Sequence, residues 1–198
     1  MNSNPILIVS GEPNSVFLEL FFKVFNNNKI KNPIILISSK KLLDLQMKKL
    51  GFKNKIRLID VSKLKFYKIN NKTINLIDVK YNPDKAFEKI SNKSNMFIKN
   101  SFELAFKIIK KYKIIRFING PISKKYFLRK EFLGITEYIS EKFLTKNTCM
   151  LIYNKKLSVC PITTHLPLKL VSKKISKKDI IKKISLINNF YIKRFNFK

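Results

Sequence analysis

Short runs of β-branched residues alternate with amphipathic segments along the first third of this chain. Apolar runs at residues 6–9, 34–37 and 56–59 are typical of strands that are buried on both faces. Helical periodicity fills the two intervals between them, over about residues 14–25 and 39–50. Strands and helices that alternate at this spacing predict an α/β fold with a mainly parallel sheet.

The two predicted helices carry different local signals. The second helix has a capping residue, Ser39, at its start and a typical C-terminal stop, Gly51, at its end. The first helix is defined by an apolar stripe at helical spacing, and this stripe is expected to face the core. Its members are Phe17, Leu20, Phe21, Val24 and Phe25.

Predicted strands and helices also alternate along the rest of the chain. Strands are predicted at residues 74–79 and 114–118, and a long helical region at 83–112 with a break near 93–95. Short helices are expected up to about residue 144. A hairpin then follows, with strands at 148–153 and 157–164. The last element is a helix that starts at a capping box of Ser176 and Asp179, with an apolar face of Ile180, Ile184, Ile187 and Tyr191.

Composition limits the possible partners of the chain. The formal net charge is +30, but lysines occur in nearly every segment and form no single basic arm. A genome biased towards Lys, Asn and Ile codons would give the same pattern, so a solvated basic surface is favoured over binding to nucleic acid. The two cysteines, Cys149 and Cys160, are predicted to be buried reduced thiols. With no signal peptide or membrane span in the sequence, a cytoplasmic location without membrane attachment is expected.

Four loop segments contain the candidate site residues. Gly11-Glu12-Pro13-Asn14 has one glycine, so a plain strand–helix turn is favoured over a nucleotide-binding loop. Ser123 and Lys124 could hold a phosphate, or they could be a helix cap and a surface lysine. Thr136 could cap a helix or bind a ligand. His165 is the only histidine in the chain, and one histidine cannot build a metal site, which usually needs about three protein ligands.

The order and spacing of these segments resemble the 4-hydroxythreonine-4-phosphate dehydrogenase family of pyridoxine biosynthesis. That family opens with a G-D-P-type turn, similar to Gly11-Glu12-Pro13. It continues with a P-I-N/S-K loop and a G-H-T-E segment, similar to residues 121–124 and 134–137 here. A T-T-H-x-P-L segment follows, matched by residues 163–168. The resemblance covers essentially the whole chain.

The resemblance implies a fold, an activity and roles for individual residues. The fold would be a three-layer α/β/α unit of the isocitrate/isopropylmalate dehydrogenase type. The activity would be oxidation of 4-phosphohydroxy-L-threonine by NAD or NADP to a 3-keto acid that decarboxylates, on the route to pyridoxal phosphate. His165 would bind a divalent metal (zinc, magnesium or cobalt), Thr136 and Lys124 would contact the phosphorylated amino-acid substrate, and the protein would be a homodimer. Catalytic and cofactor-binding residues are not identified.

The chain also departs from the family pattern. Ile135 replaces the family's substrate-binding histidine, and an aliphatic side chain cannot donate a hydrogen bond. The sequence stops before the family's second and third metal histidines, so residues 1–198 are expected to be an incomplete, N-terminal α/β unit with no confident internal boundary. Such a unit would expose a sheet edge and apolar surface. A non-catalytic relative and a basic polyanion-binding protein remain the alternatives.

Overall fold

The computed structural model describes residues 5–27, 30–129, 131–145 and 147–195. The chain divides into two compact units, Met1–Lys130 and Glu131–Lys198. No boundary was predicted at this position from the sequence, and the assignment of functional domains stays a prediction.

The first unit is built on a five-stranded parallel sheet. Its strands are β1 (Ile6–Val9), β2 (Ile34–Ser38), β3 (Ile56–Leu58), β4 (Ile74–Asp78) and β5 (Arg116–Asn119). The strand order is β3-β4-β2-β1-β5, and every neighbouring pair is parallel. The prediction of an α/β fold with a mainly parallel sheet is therefore confirmed.

Helices cover both faces of this sheet. They are α1 (Phe17–Asn26), α2 (Lys40–Leu50) and α3 (Asn95–Tyr112). Because side chains alternate along a strand, Ile8 and Leu36 face a core cluster with α1 and α2. Phe117 of β5 points to the other face, where its ring lies 6.3 Å from that of Phe102 on α3. The resulting order of helices, sheet and helix is the three-layer arrangement that was predicted.

Three local predictions about helix ends are confirmed. Ser39 caps α2, because its side chain accepts a hydrogen bond from the backbone N–H of Leu42. Gly51 ends the helix in the left-handed conformation, with φ of +78°. Ser176 likewise accepts from the backbone N–H of Asp179 at 3.1 Å, which caps the last helix.

The predicted apolar stripe of α1 was wrong in part. Leu20 and Val24 are each 53% exposed, whereas Leu18 and Phe22 are 2% and 0% exposed. The helix begins at Phe17 rather than near Asn14. Seven of the ten positions of α1 are apolar, so the choice of a five-residue stripe did not identify the buried side correctly.

Two further elements differ from their predictions. The region 83–112 is helical only from Asn95, after a short 3₁₀ turn at Asn92–Ser94. Turns tied down by tertiary hydrogen bonds precede it, such as that from the Glu88 N–H to the Asn14 side chain at 2.8 Å. The predicted hairpin is reduced to one antiparallel bridge between Ile152 and Val159.

The second unit contains three helices among its described residues. They are α4 (Ile135–Lys142), α5 (Leu168–Lys174) and α6 (Lys177–Phe195), and neither α5 nor α6 buries a residue fully. The predicted apolar face of α6 is at best half-buried, and Ile184 is 60% exposed. In the described part of the chain, no helix has the length and apolar character needed to cross a membrane.

The prediction of buried thiols was only partly right. Cys149 and Cys160 are free and half-buried. Burial raises the pKa of the Cys149 thiol, and its contact with Cys160 raises it further. The two thiols therefore lie close to one another, beside the bridge that replaces the hairpin.

Candidate functional site

The carboxyl ends of the parallel strands bring two of the predicted loops together. The N–H of Gly120 donates to the Val9 carbonyl at 2.7 Å, and the N–H of Glu12 donates to the Pro121 carbonyl at 2.7 Å. A β-carbon at Gly120 would lie 2.0 Å from the Ser10 carbonyl oxygen. The loops after β1 and β5 therefore contact each other through main-chain hydrogen bonds. They do so at the edge where α/β folds bind their ligands.

A buried carboxylate lies at this junction. Glu12 is 3% exposed, and its oxygens accept hydrogen bonds from the Asn14 N–H at 3.2 Å and the Ser94 hydroxyl at 3.0 Å. Burial raises the pKa of nearby Tyr81, and the Glu88 and Glu12 carboxylates raise it further. From the sequence, this turn was only a weak candidate for a ligand-binding loop. Residue spacing alone does not reveal that a glutamate in a loop is buried.

An open crevice of about 300 Å³ lies beyond the end of β4. Its lining includes Tyr81, Glu88, Lys93 and Phe97. The Tyr81 carbonyl accepts from the Ser39 hydroxyl at 2.9 Å, which ties the crevice to the start of α2. A mixed lining of aromatic, acidic and basic groups at this edge is suited to a polar ligand.

Ser123 and Lys124 lie in the loop after β5. The Ser123 hydroxyl accepts from the Tyr126 N–H at 3.2 Å, so it caps the single π-helical turn at Lys124–Leu128. The Lys124 side chain is exposed. The capping alternative is therefore confirmed for Ser123, and Lys124 is left as a cation that a phosphate could approach.

Thr136 lies in the first turn of α4 and does not cap it. The helix begins at Ile135, and the cap position is Gly134, which has no side chain to bond the first N–H groups. Ile135 and Thr136 are both half-buried. The N-terminus of α4 therefore presents main-chain donors next to a threonine hydroxyl, which is a favourable setting for an anion.

The structure brings His165 to the same helix start. The imidazole Nε2 lies 3.7 Å from the position that a β-carbon would occupy at Gly134, and Glu137 Oε2 lies 3.0 Å from that position. Glu137 Oε2 is buried and has no hydrogen-bond partner among the described residues. Two of the sequence motifs, residues 134–137 and 163–168, thus converge on one glycine. Glu137 was quoted within its motif, but its unpaired oxygen could not be predicted from sequence.

His165 has an exceptional backbone conformation. Its φ is +56°, in the left-handed region that few non-glycine residues adopt. It lies in a bend, not at the end of a strand as the sequence suggested, and its side chain is exposed. Strained residues of this kind often occur at binding sites, where the surrounding structure maintains them.

The donor set around His165 is too small for a divalent metal. Across residues 5–27, 30–129, 131–145 and 147–195, no group of three or more His, Cys, Asp or Glu side chains could hold a metal ion. His165 and Glu137 supply at most two ligands near Gly134, whereas a catalytic metal commonly uses three protein ligands. The described residues alone do not fit the metal that the resemblance implied.

Comparison with known proteins identifies the family. Residues 29–198 match the family model described as "Pyridoxal phosphate biosynthetic protein PdxA". The chain belongs to the PdxA family. Three of the four candidate loops lie within the matched region, and only the opening turn precedes it.

Curated relatives agree with this assignment. The 4-hydroxythreonine-4-phosphate dehydrogenase of Sulfurihydrogenibium sp. is 31% identical over 197 residues, which cover 96% of this chain and 58% of the relative. The enzyme of the same name from Aquifex aeolicus is 36% identical over 81 residues, covering 39% of this chain and 25% of that relative. This PdxA-family chain thus spans less than two thirds of the length of these relatives.

Solved structures support the fold. A 4-hydroxythreonine-4-phosphate dehydrogenase from Burkholderia phymatum has a TM-score of 0.79 at 22% identity, covering 92% of this chain and 56% of that structure. The same enzyme from Klebsiella pneumoniae has a TM-score of 0.82 at 19% identity, covering 95% and 59%. The PdxA-family chain therefore has the fold of slightly more than half of these enzymes.

Proposed function

We propose that this chain is part of a 4-hydroxythreonine-4-phosphate dehydrogenase. Such an enzyme would oxidise 4-phosphohydroxy-L-threonine, pass a hydride to NAD or NADP, and release a 3-keto acid that loses carbon dioxide. The observation that carries the proposal is the convergence of two family motifs, residues 134–137 and 163–168, on Gly134. This convergence lies inside the region that matches the PdxA family.

The start of α4 is the proposed contact for the substrate phosphate. Its first-turn N–H groups and the Thr136 hydroxyl are donors, and the helix dipole favours negative charge at this end. Glu137 opposes an anion here, so its unpaired carboxylate is better suited to the cationic amino group of the substrate. Ile135 offers only an apolar contact, and Lys124 is proposed separately as a cation that contacts the substrate.

The remaining parts of the proposal need groups beyond the described residues. NAD or NADP is the proposed hydride acceptor. His165 is proposed as one ligand of zinc, magnesium or cobalt, with the other ligands supplied from outside the described residues. A homodimer in the cytoplasm, which takes a small phosphorylated amino acid as its substrate, completes the proposal.

An activity assay on a complemented enzyme tests this function. The chain is mixed with the part of the Sulfurihydrogenibium relative that it does not match, together with NAD, divalent metal and 4-phosphohydroxy-L-threonine. Substrate-dependent NADH is expected from the mixture, and little or none from this chain alone. Thr136→Val should raise KM roughly tenfold, since a charge-assisted hydrogen bond is lost. Thr145→Val, three residues beyond the C-terminal end of α4, is the matched control and should leave KM unchanged.

Two results would count against the proposal. Vigorous turnover by the 198-residue chain alone would contradict the need for further metal ligands. Equal effects of the substitutions at Thr136 and Thr145 would contradict a substrate contact at the start of α4.

Polyanion binding by a non-catalytic relative is the second candidate. The exposed lysines of α6, such as Lys177, Lys178 and Lys182, are the observation that favours it. Binding driven only by charge falls steeply with salt, because condensed counterions compete with the protein. A labelled single-stranded DNA that stays bound at physiological salt would support this candidate, and its release below that salt concentration would exclude it.

A further inference from the structure

Two cysteines lie beside each other in the second unit. Cys149 and Cys160 are both free and half-buried, and the two thiols are hydrogen-bonded to one another. They are the only cysteines in the chain, and the proposed reaction uses neither of them. Among the described residues they belong to no group that could hold a metal ion. Adjacent thiols are what a reversible disulfide requires, since exchange needs one thiol that attacks and one that resolves the intermediate.

The backbone geometry accounts for the proximity of the two thiols. Ile152 and Val159 exchange two antiparallel main-chain hydrogen bonds, at 2.8 and 3.0 Å. In the register that this bridge sets, Cys160 is opposite Leu151, and Cys149 lies two positions further along on the same face. Diagonal neighbours have α-carbons about 7–8 Å apart, and their β-carbons are closer. A disulfide joins α-carbons up to about 6.8 Å apart, so closing it needs only a small shift of the backbone.

The two cysteines differ in how their segments are held. The Lys183 ammonium on α6 donates to the carbonyls of Pro161 and Ile162, at 3.0 and 2.8 Å, and so fixes the segment that follows Cys160. Residues 147–151 make no main-chain hydrogen bond to another described residue. The backbone around Cys149 can therefore shift towards Cys160 without breaking a main-chain bond within the described part of the chain.

Burial favours the oxidised form of this pair. It raises the pKa of the Cys149 thiol, because a thiolate is poorly solvated at this position. A disulfide has no charge to desolvate, and a thiol of raised pKa is a poor leaving group when its disulfide is reduced. An open crevice of about 430 Å³, whose lining includes Thr148, Ile162 and Lys183, gives a small reagent access beside the residue that precedes Cys149.

We propose that Cys149 and Cys160 form a reversible disulfide by exchange with a small-molecule disulfide of the glutathione type. One cysteine, as its thiolate, attacks oxidised glutathione, breaks its S–S bond and releases one glutathione thiolate. The other cysteine thiolate attacks the protein sulfur of the mixed disulfide and releases the second glutathione. The two cysteine protons end on the two glutathione thiols, so the cysteines are oxidised and glutathione is reduced. The new bond closes the loop of residues 149–160, shortly before the motif at 163–168.

An equilibrium measurement tests this inference. The full chain is equilibrated with mixtures of reduced and oxidised glutathione, in buffer and in concentrated urea, and the exchange is stopped with acid. Mass spectrometry then distinguishes the disulfide form, which is lighter by two hydrogen atoms. The disulfide should form at least about tenfold more readily in buffer than in urea, because a bond that suits the native geometry stabilises the folded chain by the same factor. Equal formation under the two conditions would overturn the proposal.

Peptide mapping identifies the bond that forms. Trypsin cleaves after Lys146, Lys155 and Lys156, so a disulfide between Cys149 and Cys160 joins two separate peptides. The joined pair is expected in samples without reductant and should be absent after reduction. A stable mixed disulfide with glutathione, or a disulfide between two copies of the chain, would overturn the proposal.

A displaced thiol is the matched control. In the double variant Cys160→Ser with Val159→Cys, the new thiol closes a loop of nearly the same length, but it points to the opposite face of the segment. Val159 is 50% exposed, so its replacement removes little packing. This variant should form its disulfide about equally readily in buffer and in urea. If it has the same preference for buffer as the natural chain, any thiol in this segment reaches Cys149, and the proposed pairing is overturned.

The inference is independent of the proposed reaction, since its test uses no substrate, cofactor or metal. If the disulfide forms as expected but the complemented enzyme yields no NADH, the modification site stands and the proposed function fails. If NADH forms but the disulfide shows no preference for the folded chain, the function stands and the modification site is wrong.

Discussion

The Nε2 atom of His165 lies 3.7 Å from the point at which Gly134 would carry a β-carbon. That distance is an ordinary van der Waals contact, so a methyl group fits beside the imidazole. The 3.0 Å approach of Glu137 Oε2 to the same point is tighter, but it involves the end of a flexible side chain. Gly134 has extended backbone dihedrals that any residue adopts. The space above Gly134 is therefore limited by the side chains of His165 and Glu137 and not by the main chain.

Gly134→Ala should consequently change the free energy of unfolding by only about 0.5 kcal/mol. Gly134→Leu should displace the imidazole, because a larger side chain fills the space between His165 and Glu137. His165 is the only histidine, so its ring resonances in an NMR spectrum report this displacement without ambiguity. Large shifts for leucine and small ones for alanine are expected. Identical spectra for the two variants would show that the ring does not lie beside Gly134.

Gly120 is expected to tolerate no side chain. A β-carbon there would lie 2.0 Å from the carbonyl oxygen of Ser10, and both sides of that contact are main chain. Gly120→Ala should destabilise the first unit by about 3 kcal/mol, as measured by urea unfolding. Gly51→Ala is the matched control, because Gly51 has φ of +78° but nothing within 4 Å. It should cost about 1–2 kcal/mol, from the left-handed conformation alone.

The buried face of α1 gives a third prediction. Phe22→Ala should lower the free energy of unfolding by about 3–5 kcal/mol, because Phe22 is fully buried and its removal leaves a cavity. Leu20→Ala on the exposed side should change it by about 0.5 kcal/mol or less. Equal costs for the two substitutions would mean that the helix is rotated relative to the structure.

Features that depend on local chemistry were predicted correctly from the sequence, whereas features that depend on distant contacts were not. Ser39 and Gly51 were identified correctly, because capping needs only a side-chain acceptor at one end and a positive φ at the other. The five strands of the parallel sheet were found, because each is a short run rich in β-branched residues, whereas the predicted hairpin strands were not. The orientation of α1 was not found, since its position depends on which apolar side the sheet covers. That choice is hard to read from a helix in which seven of ten positions are apolar.

The candidate site shows the same division. His165 and Thr136 became candidate site residues through motifs of adjacent residues, and their roles stay predictions. Their convergence on Gly134 and the unpaired oxygen of Glu137 depend on how the loop before α5 folds back on α4, which no short motif specifies. Glu12 was missed as a buried group for the same reason: Ser94, which donates to it, is 82 residues away in the sequence.

Restoring the family's histidine should improve substrate binding in the complemented enzyme. Ile135 begins α4 and is half-buried, so an imidazole at this position would add a donor at the start of the helix. Ile135→His should lower KM by roughly tenfold, which corresponds to about 1.4 kcal/mol. Ile135→Phe keeps a ring of similar position without the donor. If histidine and phenylalanine have the same effect, Ile135 does not lie at the substrate.

Cys149 should react slowly with alkylating agents near neutral pH. Burial and the neighbouring Cys160 raise its pKa above the usual value for a thiol, so the reactive thiolate forms only at higher pH. The midpoint of iodoacetamide labelling, followed by mass spectrometry of the Cys149 peptide, should lie above that of a free cysteine. Cys160→Ser should move the midpoint back part of the way, since burial remains. An unchanged midpoint in that variant would show that the two thiols do not interact.

The contact between the loops of Gly11 and Gly120 has a consequence for how this sequence can change over time. Two hydrogen bonds join these loops, and both use peptide groups that every residue except proline provides in full. Substitutions towards lysine, asparagine and isoleucine can therefore alter the surrounding side chains without touching the junction. Only a β-carbon at one of the two glycines would force the loops apart. A protein of extreme composition can keep the geometry at the carboxyl edge of its sheet, because main-chain atoms hold that geometry and most substitutions do not replace them.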